Sequence, residues 1–396
     1  MLAVGALPPL EPAEAQRSAA LAARIHARIA AEGGWLPFPE FMQAALYEPG
    51  LGYYVAAQPI FGAAGDFVTA PELSPLYASC LANGIADLLG KAGGGDVVEL
   101  GAGSGALALR VFASLAERGV SLARYRIVEP SPALAARQRE RIARSPETAP
   151  HLGRFEWLAA PPREAWQGVA FANEVLDALP VERFRITSDG AEAVGVVAAG
   201  AGFAWQPRPA QGALAAAVKS LQRRLSPRMP AGFISELRLV QRDWLAAAAA
   251  ALSRGAILLA DYGLPRAQYY HPSRDGGTLC GFRRHRRVDD PLATPGAQDI
   301  TAWVDFSALA ENAADVSLVV GGFATQAHYL LETGIDRELA RLTAPAGERE
   351  RAAQRQAAAT LLLPGEMGER FKLMALTRGI EAPFLGFGFR DLSASL

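Results

Sequence analysis

Apolar residues recur along this chain in two rhythms. A helical rhythm, apolar every three to four positions, runs through Arg17 to Ala31 with Leu21, Ile25 and Ile29 on one stripe. It returns in Phe38–Tyr47 with Phe41, Ala45 and Leu46 inward, in Ser74 to Leu89, and in Ala106 to Arg118 with Leu107, Val111 and Leu115. Between the helices stand short apolar runs of the kind that form strands covered on both faces. They are Val97-Val98-Glu99-Leu100, Tyr125-Arg126-Ile127-Val128, Phe155-Glu156-Trp157-Leu158, Gly168 to Glu174, Ala256 to Gly263, Val316 to Val320 and Phe371 to Thr377. Strands alternating with helices predict an α/β fold built on a doubly wound parallel sheet.

The remaining stretches divide the chain further. Residues 1–15 are rich in Pro and Ala and predict a loose start. Phe184 to Trp205 alternates weakly around Ser188-Asp189-Gly190 and predicts an inserted antiparallel hairpin, followed by helices over Ala213 to Leu225 and Leu237 to Leu252. Tyr269 to Ile300 predicts a long irregular insertion that carries Arg283-Arg284-His285-Arg286-Arg287. The expected division is an N-terminal helical or lid region over 1–90, a nucleotide-binding core over 91–190, inserted hairpin and helices over 191–255, and the rest of the core sheet over 256–396.

Composition narrows the function classes. Half of the 396 residues are hydrophobic, so a sizeable core is expected and global disorder is not. A formal net charge of −1 gives no general attraction to nucleic acid or anionic membrane. The two cysteines, Cys80 and Cys280, have no C-x-x-C spacing, so neither a disulfide framework nor a metal site is expected. No run of about 18 apolar residues predicts a membrane span. The first residues lack a basic segment before an apolar core, and Glu11 and Glu14 come too early for an acid-poor transit peptide, so the expected location is cytoplasmic.

The candidate chemistry gathers at strand ends. Gly101, Gly103 and Gly105 follow the first core strand and precede a helix, a turn that permits positive φ and close approach of a ligand to Ala102 and the glycine backbone. Glu99 stands just before it. Glu129 ends the next strand, where a carboxylate accepts both hydroxyls of a ribose. Asn173 and Glu174 end the fourth strand and would face the same crevice, with Asp177 on the same side if the segment is helical. The turn also fits the dinucleotide fingerprint G-x-G-x-x-G/A, which keeps an NAD-dependent oxidoreductase open as an alternative.

Several blocks occur together in one order: Gly65-Asp66-Phe67-Val68-Thr69-Ala70-Pro71-Glu72, Glu99 to Gly105, Asn173-Glu174-Val175-Leu176-Asp177-Ala178-Leu179-Pro180, Asp261-Tyr262-Gly263, Gly277-Thr278-Leu279, Asp299-Ile300-Thr301 and Met367 to Lys372. In these the chain resembles the MidA-like class I S-adenosylmethionine (SAM) methyltransferases, over roughly residues 20 to 390. The resemblance implies a Rossmann-like seven-stranded sheet with an N-terminal helical segment and inserted substrate-side elements. It implies SAM as cofactor, held by Glu99, Gly101, Ala102, Gly103, Gly105, Glu129, Asp66 and Thr69. It implies a protein arginine as methyl acceptor, which in mitochondrial family members belongs to a subunit of respiratory complex I during its assembly. Glu174, Asp177 and Asn173 are the candidate catalytic residues, with Glu174 first as the carboxylate that orients a guanidinium. A non-catalytic SAM-binding assembly factor is the other alternative.

Overall fold

The computed structural model describes residues 8–55 and 70–396. They divide into two compact units. One comprises residues 70–175, Arg242–Gly263 and Phe306–Leu396. Its sheet carries seven strands along one path: β1 (Asp96–Leu100), β2 (Tyr125–Val128), β3 (Phe155–Leu158), β4 (Trp166–Asn173), β5 (Leu252–Leu264), β6 (Val319–Thr325) and β7 (Phe371–Arg378). Their order is β6-β7-β5-β4-β1-β2-β3. Neighbours from β5 to β3 run parallel, while β7 is antiparallel to both β5 and β6. The parallel part is the doubly wound sheet the alternation predicted, and the whole is the Rossmann-like seven-stranded sheet that the resemblance implied. Strand order reverses between β1 and β4, the switch point where open α/β sheets leave a crevice at their carboxyl edge.

Packing explains why the strands are legible. All five residues of β1 are buried. Val97, Ile127, Val169 and Leu258 share one core with Leu81, Ile85 and Leu88 of helix Pro75–Ala92 and Leu107, Val111 and Leu115 of helix Ala106–Glu117. The sixth strand differs from expectation: it spans Val319–Thr325 and passes through Gly321 and Gly322 instead of stopping before them. A Cβ on Gly322 would lie 2.4 Å from the Phe387 ring and one on Gly321 2.7 Å from the Phe384 ring, so aromatic side chains pack directly on bare backbone. Gly321 and Gly322 are close-approach positions, with a bulge between Val320 and Gly322.

The other unit comprises residues 8–55, Leu176–Gln241 and Leu264–Asp305. Its first helix runs Pro12–Ala31 with Leu21, Ile25 and Ile29 buried as the stripe predicted. It starts earlier than expected. Pro12 fits the first helical position, the backbone N–H of Glu11 donates to Glu14 at 3.0 Å, and Arg284 pairs with Glu11 and Glu14 at 3.4 and 3.6 Å. The inserted hairpin is present as Glu182–Ile186, Ala191–Ala199 and Gly202–Pro209. A fourth strand, Ile234–Leu237, joins it by pairing with Glu182–Ile186. That strand lies where a helix was expected to begin; helix Gln241–Ala249 starts only after it.

The 269–300 stretch is also more ordered than its composition suggested. Cys280–Arg283, Arg286–Val288 and Asp299–Thr301 form a three-stranded antiparallel sheet. Its turn is made by Arg284 and His285, both at positive φ, without the Asn or Gly that usually announces such a turn. The basic run is therefore a hairpin tip, with Arg283 donating to the Pro8 carbonyl and Arg287 pairing with Asp289.

Arg238 holds this unit together. Its guanidinium donates to four backbone carbonyls: Asp177 at 3.2 Å, Leu179 at 3.2 Å, Ala302 at 2.7 Å and Trp303 at 3.1 Å. An unsatisfied carbonyl costs roughly 1–3 kcal/mol where it is buried. Arg238→Leu is expected to destabilise the protein by about 3 kcal/mol in chemical denaturation. A denaturation midpoint equal to wild type would refute that role.

Candidate active site

The glycine turn forms because the chain must leave β1 at once and enter helix Ala106–Glu117. Gly101, Gly103 and Gly105 take φ values of 74°, 52° and 77°, a region L side chains avoid. The turn closes with the Gly105 N–H on the Ala102 carbonyl at 2.8 Å, and the Gly101 N–H bonds the Val128 carbonyl at 3.0 Å. A Cβ on Gly101 would lie 3.0 Å from the Val175 side chain. Gly101 is thus kept bare by the close packing of Val175 on the turn.

Strand register sets the neighbours of that turn. Leu100 is level with Val128, and Glu99 with both Ile127 and Phe171. One step further puts Glu129 beside Gly101 on one side, and two steps past Phe171 puts Asn173 on the other. With strands about 4.8 Å apart, the tips of β2 and β4 are separated by roughly 10 Å across the turn. A nucleoside fits such a span.

Glu129 is buried and its carboxylate is fixed. Ser131 N–H donates to one oxygen at 2.9 Å and the Gln138 side-chain amide to the other at 3.0 Å. Burial raises its pKa, and these two hydrogen bonds oppose the rise. Gln138 also donates to the Gly103 carbonyl at 3.0 Å and accepts from the Trp157 indole at 3.2 Å. One amide therefore ties the glycine turn to the ribose-binding candidate. Gln138→Leu should weaken cofactor binding about tenfold by freeing both, while Ile142 and the rest of the helix keep their packing. Unchanged affinity in a calorimetric titration would rule that coupling out.

Glu99 is also buried, with its carboxyl accepting from the Tyr125 hydroxyl at 2.7 Å. Burial pushes its pKa up to about 8, against the lowering effect of that hydrogen bond. Asn173 accepts from the Tyr77 hydroxyl at 2.5 Å and donates to Glu174 at 3.1 Å. Glu174 has φ 52°, a left-handed conformation rare outside glycine, and its N–H bonds the Ala260 carbonyl at 2.9 Å. The segment after Asn173 is a turn, with the Leu179 N–H on the Leu176 carbonyl at 3.2 Å, so Asn173 caps no helix. Asp177 is buried and belongs to the other unit, where its backbone carbonyl accepts from Arg238 and from the Ala302 N–H. Asp66 and Thr69 lie outside the described residues.

Some site residues went unmarked at the level of sequence. Tyr77 sits in an apolar helix and Gln138 in a polar one, and neither context signals a role. Lys372 had a signal, a cation inside the apolar run of β7. It pairs in register with Asp261, its ammonium donates to the Glu369 carbonyl, and burial lowers its pKa to about 8. Among the described residues no group of three or more His, Cys, Asp or Glu is placed to hold a metal ion.

Residues 80–324 match the model of a family described as S-adenosyl-L-methionine-dependent methyltransferases. The chain belongs to that family of SAM-dependent methyltransferases. A crystal structure of a superfamily member from Burkholderia thailandensis, bound to S-adenosyl-homocysteine, superposes with TM-score 0.90 and 39% identity, covering 99% of this chain and 100% of that one. The zebrafish (Danio rerio) protein arginine methyltransferase NDUFAF7, mitochondrial, is 31% identical over 87% of this chain and 83% of its own. The human protein of that name is 30% identical over 87% of this chain and 80% of its own.

As a SAM-dependent methyltransferase the protein uses SAM as its cofactor. The bare glycine turn and the fixed Glu129 carboxylate suit an adenosyl group, and the family match decides against a nicotinamide oxidoreductase. The expectation of a cytoplasmic location is corrected by the relatives, which are named as mitochondrial. The sequence criterion failed because it tested only for the composition of a transit peptide. No helix among the described residues is long and apolar enough to cross a membrane.

Proposed function

We propose that this methyltransferase transfers a methyl group from SAM to an arginine of a protein acceptor, and that the acceptor is a subunit of respiratory complex I. The relatives named as protein arginine methyltransferases support the arginine, and the resemblance to the MidA-like family supports the complex. The observation that carries the reading is the carboxylate of Glu174, set at the carboxyl end of β4 next to the glycine turn. In this reading Glu99 meets the methionine ammonium, Glu129 the ribose hydroxyls, and the backbone from Gly101 to Gly105 the methionine and ribose moieties.

Bound SAM supplies an electrophilic methyl group on a sulfonium. The chain must then place a nucleophile in line with it and exclude water. An arginine side chain is a cation with pKa above about 12 and a poor nucleophile. A carboxylate that accepts two of its N–H groups orients the fork and gathers positive charge on that side, leaving the far nitrogen to attack. As its bond to the methyl carbon forms, the carbon–sulfur bond would break to leave S-adenosyl-homocysteine, and the proton that nitrogen sheds would pass to the carboxylate or to solvent. Glu174 is assigned that role, with Asn173 holding it.

The test is incubation of the purified protein with radiolabelled SAM and a methyl-deficient mitochondrial extract. Label on an arginine of a complex I subunit, located by peptide mass spectrometry, is the expected result. Label confined to lysine, nucleic acid or a small molecule would overturn the reading.

A further inference from the structure

Glu174 is reached by a relay that begins on a different element. Helix Pro75–Ala92 is capped by Ser74, whose hydroxyl accepts from the Leu76 N–H at 3.1 Å and donates to Gln354 at 2.6 Å. This anchors the first turn, which carries Tyr77. Tyr77 is 1% exposed and so apolar in its surroundings that its hydroxyl needs a defined partner. That partner is Asn173 at 2.5 Å, and Asn173 in turn donates to Glu174 at 3.1 Å. Burial, with the nearby Glu174 charge adding to it, keeps the phenol protonated well above its usual pKa, so it remains a donor at any working pH.

The direction of these bonds matters. An amide offers an oxygen and an NH₂ group on opposite sides. The Glu174 carboxylate can only accept, which commits the NH₂ to its side and leaves the amide oxygen for the Tyr77 hydroxyl. Without the phenol the amide keeps only the Glu174 end of its anchorage and is free to swing about that bond, carrying the carboxylate with it. The left-handed backbone at Glu174 sets where its side chain starts, and the amide sets where it ends.

We propose that Tyr77 is a positioning residue for methyl transfer: through Asn173 it fixes the orientation in which the Glu174 carboxylate receives the acceptor guanidinium. This rests on the reading of Glu174 as the acceptor-binding carboxylate. Misplacement of a reacting group by about 1 Å costs on the order of a hundredfold in rate. Tyr77→Phe, which removes one oxygen and keeps the ring, is expected to lower kcat about 10- to 100-fold. Its affinity for S-adenosyl-homocysteine should stay within about twofold of wild type, since the adenosyl-binding turn is untouched.

A merely structural role is separated by a double-mutant cycle. In an Asn173→Ala background the relay is already cut, so adding Tyr77→Phe should change kcat by less than about twofold. A full additive loss in that background would overturn the proposal. A second variant, Asn173→Asp, still accepts from Tyr77 but faces Glu174 with a like charge. It is expected to lose transfer with the fold retained, and wild-type kcat there would overturn the relay even where Tyr77→Phe fails to fold. The underlying reading fails separately: wild-type transfer by Glu174→Gln removes it and this inference together. Wild-type transfer by Tyr77→Phe, with Glu174→Gln inactive, removes the inference alone.

Discussion

Glu174→Gln is expected to lower kcat by about a thousandfold while leaving cofactor affinity within about twofold. The side chain keeps its length and shape, so the packing around it survives. What it loses is the second acceptor oxygen and the charge. A carboxylate receives a guanidinium through two parallel charge-assisted bonds, whereas a glutamine amide turns an NH₂ group toward another donor. Losing a pair that must be desolvated for transfer costs about 4 kcal/mol, which is about three powers of ten in rate. A companion variant tests the backbone at the same position. Glu174 is held at φ 52°, a conformation that glycine adopts freely. Glu174→Gly should therefore melt no lower than wild type and still lose transfer. That combination marks a strained residue kept for chemistry. Wild-type kcat in Glu174→Gln would remove Glu174 from the mechanism.

The left-handed turn at Glu174 also shows where sequence reading reached its limit. Strand β4 was plain because Val169 to Ala172 are buried and apolar without interruption. What followed was ambiguous, since Asn-Glu before an apolar pair fits a capped helix as well as a tight exit from a strand. The bond from Glu174 N–H to Ala260, a residue far along the chain on β5, decides for the exit. Local propensity carries no information about that partner. The same holds for Gln138. Its full burial comes from Trp157 on β3 and Glu129 just past the end of β2 converging above one helix, and its own neighbours Arg137 and Arg139 suggest only a solvated face. The strand expected over Val316 to Val320 continues through Gly321 and Gly322 because the rings that cover them come from the C-terminal segment. Positions set by one element's own periodicity, such as Leu21, Ile25 and Ile29 or Val97 and Val98, were legible. Positions set by a contact across the sheet were not.

The second large effect concerns Glu99 and pH. Burial lifts its carboxyl to about 8, so at neutral pH the cofactor-free protein holds this group mostly protonated. The sign for stability follows: the folded state binds the extra proton between the usual carboxylate range and about 8, so this group's contribution is full at low pH and is lost as pH rises through about 8. In the proposed reading a bound amino acid moiety changes the balance: its ammonium would stand beside Glu99 and favour the carboxylate, so below pH about 8 forming the pair would release the proton to solvent. Affinity for S-adenosyl-homocysteine should then rise about tenfold per pH unit up to about 8. The gain stops there because Glu99 is by then ionised in the free protein as well, so binding releases no further proton. Calorimetry near neutral pH, repeated in buffers of different ionisation enthalpy, should count about one proton released per site. Glu99→Gln preserves an acceptor for the Tyr125 hydroxyl but has no proton to release. Its affinity should be flat over the same range and about a hundredfold weaker than wild type near pH 8, the loss expected for a charge-assisted bond in a dry site. A flat profile in the wild-type protein would mean that Glu99 keeps its proton with ligand bound. The ammonium would then have to be met by some other group, and Glu99 would be a structural acid buttressing Tyr125 inside the sheet.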